Sequence, residues 1–107
     1  MKFFSMIMSF FVIAHAQAQL MGGFKSIAVD DAQVIKAAEF GMASMEETDD
    51  KYKDVTFTVT DASRQVVAGL NYLIVVRPTL ATCEDITFKI WDHFGTYKVT
   101  EATVSAC

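Results

Sequence analysis

Histidine, cysteine, tryptophan and proline are all scarce in this chain of 107 residues: two, two, one and one respectively. So few imidazoles and thiols exclude a histidine-rich zinc site, and the two cysteines stand too far apart for a CxxC metal or redox pair. Basic residues are outnumbered 9 to 13, for a formal net charge of −4. Nucleic-acid and anionic-membrane binding both need basic patches facing the partner, so neither is expected. The length bounds the chain to one domain. No P-loop, GxGxxG or GxSxG segment occurs in it, which excludes a nucleotide enzyme or a serine hydrolase of those types. Acidic pairs appear only in polar runs such as Glu46-Glu47-Thr48-Asp49-Asp50. That run lacks the glycine and the terminal glutamate of a calcium loop and reads as a solvated turn. Catalysis has neither a nucleophile with its base nor paired carboxylates to draw on. The expectation is a protein that is not an enzyme and carries no cofactor or metal.

Apolar residues are not lacking. At 52% hydrophobic and 21% charged, the chain has enough apolar surface to fold around a core. Part of that fraction sits at the start. Lys2 precedes an uncharged run from Phe3 to Ala14, followed by small residues at Ala14, Ala16 and Ala18. The run falls short of the roughly 20 apolar residues that cross a bilayer and has the parts of a secretory signal peptide. Cleavage after Ala16 or after Ala18 fits. Taking residues 1–18 as the signal leaves 19–107 as a secreted, extracellular domain, one unit more negative because Lys2 is lost.

In an oxidising compartment Cys83 and Cys107 read as one disulfide. Its loop of about 24 residues is worth roughly 3 to 3.5 kcal/mol in the chain-entropy model. The rival reading, a reactive thiol, would have only His93 as its base.

Along residues 19–107, Gln19 to Phe24 is a glycine-bearing lead-in. A helix is predicted from about Asp30 to Met45: Asp30 and Asp31 suit its N-terminus, and Ile35, Ala38, Met42 and Met45 recur at helical spacing. Gly41 inside it suggests a close helix–sheet approach. From Val55 the period becomes two, and Thr56-Phe57-Thr58-Val59-Thr60 reads as a half-buried strand. Asp61-Ala62-Ser63 reads as a bulge or bend. Leu70 to Val76 is a second strand closed by Arg77-Pro78. Ile86 to Trp91 is a third strand, Asp92-His93-Phe94-Gly95 a turn, and Thr96 to Val104 a fourth strand. One helix followed by strands with short connections implies an α+β fold, an antiparallel sheet packed on the helix.

The turns are unusually apolar. Gln65-Val66-Val67-Ala68-Gly69 lies between two strands, where a hairpin tip is normally polar; its valines either continue the strands into the core or await a partner. His93-Phe94-Gly95 is a second aromatic tip, and Leu20-Met21-Gly22 a third apolar piece without an evident place in a core.

These segments together resemble the cystatin family. Gln65-Val66-Val67-Ala68-Gly69 matches its QxVxG loop, and Leu70-Asn71-Tyr72 extends the match. Leu20-Met21-Gly22-Gly23 resembles the N-terminal trunk with its glycine, and Phe40-Gly41 the aromatic-small pair of the family helix. Phe88-Lys89-Ile90-Trp91 through Cys107 is similar to the last hairpin and terminal cysteine of secreted animal members. The resemblance implies a four- to five-stranded antiparallel sheet wrapped round one helix. It also implies reversible, tight-binding inhibition of papain-like cysteine peptidases of the cathepsin L type. Leu20, Met21, Gly22 and Gly23 would enter one side of the substrate cleft, Gln65, Val66, Val67, Ala68 and Gly69 would form the first loop, and His93 and Phe94 the second. The three form a wedge that offers the catalytic cysteine no scissile peptide. Where animal members carry Pro-Trp in the second loop, this chain has His93-Phe94, and His93 is either a contact or a turn residue. Secreted animal members generally have two disulfides, and here only one can form. The legumain-inhibiting asparagine after the helix has no counterpart, since the sole asparagine is Asn71. The expected state is a monomer, with strand exchange through the tight first loop as a route to dimers. The alternative is a non-inhibitory cystatin-fold module for secreted binding or defence.

Overall fold

The computed structural model describes residues 23–107; the expected signal peptide and the trunk residues Leu20, Met21 and Gly22 lie outside the described residues. The elements run β1 (Lys25–Ser26), α1 (Ala32–Thr48), a 3-10 turn (Asp50–Tyr52), β2 (Phe57–Val67), β3 (Gly69–Pro78), β4 (Glu84–His93) and β5 (Thr96–Ala106). The strands form one antiparallel sheet in sequence order. This is the expected α+β architecture, with one short strand that periodicity does not reveal. β1 has two residues, too few to show a period of two.

Asp31 starts the helix. Its carboxylate accepts the backbone N–H groups of Gln33 (2.9 Å) and Val34 (3.3 Å), satisfying donors that have no intrahelical partner. The helix runs past Met45 to Thr48, so the first part of the acidic run is helical rather than a turn. The chain then turns through Asp50–Tyr52.

Val34, Ala37, Ala38, Gly41 and Met42 form the buried stripe of α1. Opposite them lie Tyr72, Ile74 and Val76 of β3 and Ile86, Phe88 and Ile90 of β4, all without solvent exposure. A Cβ at Gly41 would stand 3.1 Å from both Ile90 Cδ1 and the Phe88 ring. Glycine there sets how closely the helix lies on the sheet.

On β2 the inward positions are Val59 and then Ala62, three apart rather than two. The register shift between Val59 and Asp61 absorbs the extra residue, where the sequence suggested a bulge or bend. At the far end Cys83 and Cys107 form the expected disulfide, Cα–Cα 5.4 Å, joining the start of β4 to the end of β5. Glu84 beside it accepts from Lys51 Nζ (2.8 Å) and from the Tyr52 hydroxyl (2.7 Å). These bonds, Lys51 first, hold its carboxyl below the ordinary range. Arg77 meets Asp85 through two parallel bonds of 2.9 and 3.1 Å.

Candidate functional site

The first hairpin turns as tightly as a sheet allows. Val67 pairs with Gly69, leaving Ala68 alone at the tip. Gly69 has φ +87°, and a Cβ on it would collide with the Asp92 carbonyl oxygen; only glycine fits both demands. Val66 and Val67 therefore do continue the strand, yet Val66 is 68% exposed. One pair further back, Gln65 stands across from Asn71, whose Nδ2 donates to its Oε1 at 3.3 Å.

The second hairpin is shorter than the predicted four-residue turn. His93 still pairs with Thr96, so the tip is Phe94-Gly95, both with positive φ (53° and 99°). This is the geometry of a tight hairpin turn matched to the strand twist. Asp92, expected within the turn, is instead the last buried position of β4. Its Oδ1 accepts the Gly95 N–H at 2.7 Å and braces the tip from below. Phe94 is 81% exposed. Between the hairpins lies a groove of about 340 Å³ lined by Val66, Val67, Gly69, Leu70, Asp92 and Phe94.

The fold thus brings Gln65 to Gly69 together with His93 and Phe94 at one end of the sheet. Gly23 is exposed and leads through Phe24 into β1, where Lys25 stands opposite Arg64. The N-terminal segment therefore joins the sheet beside the strand that rises to the first tip. Among the described residues no group of His, Cys, Asp and Glu is placed to hold a metal ion, and no helix is long and apolar enough to cross a membrane.

A family model, the cystatin domain, matches residues 22–105. The chain belongs to the cystatin family. No curated protein sequence matches it. The match spans both hairpins and all five strands of the cystatin sheet except the last residue of β5, Ala106.

The two hairpins of this cystatin are fastened to each other. Trp91, three residues before the second tip, donates its indole Nε1–H to the Ala68 carbonyl at 2.8 Å. Its ring stacks on His93 (centroids 4.5 Å), which in turn meets Phe94 at 4.9 Å. The single indole of the chain is thus on a strand rather than at a tip, reaching back to the other hairpin. The sequence reading missed Trp91 and Asp92. Asp92 had a visible signal, the Asp-x-x-Gly spacing of a side-chain-braced turn. Trp91 had none, because its partner is decided by strand register.

Proposed function

We propose that the protein is a secreted, reversible, tight-binding inhibitor of papain-like cysteine peptidases of the cathepsin L type. It acts as a wedge of the N-terminal trunk and the two hairpin tips. The observation that carries the reading is the exposure of Val66 and Phe94 on two braced turns at one end of the sheet. Apolar side chains held on fixed turns avoid much of the roughly 0.5–1.5 kcal/mol that ordering each mobile side chain costs on binding. The tips fill the target cleft through Val66, Val67 and Phe94, with the His93 ring tilted against Phe94. Leu20, Met21, Gly22 and Gly23 occupy the neighbouring part of the cleft. The protein itself performs no catalysis and uses no cofactor.

Secretion is supported by the leader-like run and by the disulfide. Legumain lies outside the target range, since Asn71 is on β3 and bonded to Gln65. The working form is a monomer. Strand exchange, with Val67-Ala68-Gly69 opening into a continuous strand, is the route to dimers.

The test is the inhibition constant of the oxidised protein, residues 19–107, against papain and a cathepsin L-type enzyme. A reversible constant in the nanomolar range or below is expected. No inhibition at micromolar concentration by a folded sample would overturn the reading.

A further inference from the structure

We propose that Trp91 is a positioning residue of the inhibitory wedge, acting through the hairpins rather than on the target. The inference rests on the inhibitor reading. Two separate contacts join the two tips: the indole N–H donates to the Ala68 carbonyl at 2.8 Å, and Gly69 packs directly on the Asp92 and His93 backbone. Within the second hairpin the indole ring also lies against His93, and His93 against Phe94.

Ala68 is the residue that most needs such a restraint. It is exposed and lies outside the ladder, between Val67 and a glycine in the left-handed region. Glycine resists local reorientation less than any other residue, so the tip can swing about Gly69 unless something holds it from the side. Trp91 stands opposite Asn71 on β3, which places its indole alongside the tip. A groove of about 450 Å³ beside it, lined in part by Val67, Ala68 and Trp91, leaves room for the tip to move once that bond is gone.

The two hairpins therefore enter a cleft as one body. If only the docked form of the tip is competent, the apparent affinity scales with its population. Removing the indole donor is expected to lower the docked-to-undocked equilibrium constant of the tip about fivefold, the equivalent of roughly 1 kcal/mol.

The experiment uses Trp91→Phe, which keeps an aromatic ring beside His93 and removes the N–H donor; Trp91→Leu, which likewise has no donor, serves if that variant does not fold. Stopped-flow kinetics with papain should show kon reduced, by up to about fivefold, and koff unchanged from wild type. Phe94→Ala, a contact variant, should show the reverse, with koff raised and kon little changed. In the free protein, 15N relaxation should show lower order at Val66 to Gly69 in Trp91→Phe, and the wild-type indole N–H should be protected from exchange.

An unchanged inhibition constant in Trp91→Phe overturns the proposal. So does a loss confined to koff with normal tip order, which would make Trp91 a contact, and so does an unprotected wild-type indole. Should wild type fail to inhibit, the inhibitor reading falls by itself. The relaxation and exchange measurements on the free protein then decide whether the indole holds the tip.

Discussion

Gly69 turns the backbone through φ +87° against the Asp92 carbonyl, and a methyl group there meets both forbidden torsion and occupied space. Gly69→Ala is expected to lose about 1–3 kcal/mol of stability, seen as a lower Tm, and to weaken papain inhibition by displacing the tip. Val66 and Phe94 present the opposite case. Both are largely exposed in the free protein, so Val66→Glu and Phe94→Glu should leave Tm nearly unchanged. Both should raise the inhibition constant at least about tenfold, because a charge would have to enter an apolar contact. A fall in Tm with unaltered inhibition would remove these residues from the wedge. At this scale the sequence was informative where a residue's own chemistry suffices: the glycine and the apolar tips declare themselves. It was silent on Trp91, whose role depends on which atom lies two strands away.

α1 and the sheet meet at Gly41, where the Phe88 and Ile90 side chains already stand 3.1 Å from the place of a Cβ. Gly41→Val overfills that contact and should cost about 1–3 kcal/mol, measurable by urea denaturation, with inhibition retained by the folded fraction. The far ends of β3 and β4 carry the acid sensitivity. Glu84 is held below its ordinary pKa by Lys51 and then Tyr52, and Asp85 below its own by Arg77. A carboxyl with a lowered folded-state pKa contributes stability that is present above its unfolded value and lost as pH falls through the folded one. Glu84→Gln should therefore have a lower Tm than wild type near neutral pH, and the gap should close as pH falls through the lowered pKa of Glu84, below the ordinary carboxylate range. A gap independent of pH would show that the carboxylate charge is not what holds that corner. The start of α1 was legible from Asp31 and the spacing of its apolar stripe. Its end was not, because Glu46 to Thr48 continue the helix without adding an apolar residue. β1 is held by its neighbour's edge rather than by any pattern of its own.

At the scale of the whole molecule, the disulfide and the two hairpin tips proposed for recognition occupy opposite ends. The disulfide closes the pairing of Glu84 with Ala106, whereas His93 and Thr96 close the other end of the same two strands. Replacing both cysteines by serine should cost roughly 3 kcal/mol of stability yet leave the inhibition constant unchanged at temperatures where the variant is folded. A matching loss of inhibition would mean that the hairpin ends communicate. Ten residues of β4 at about 3.3 Å each put roughly 30 Å between the two ends. The Cys107 end of the sheet therefore works as a handle. A bead, a label or a fused domain attached there would hang behind the sheet, and a surface coated through that end would present both hairpin tips outward.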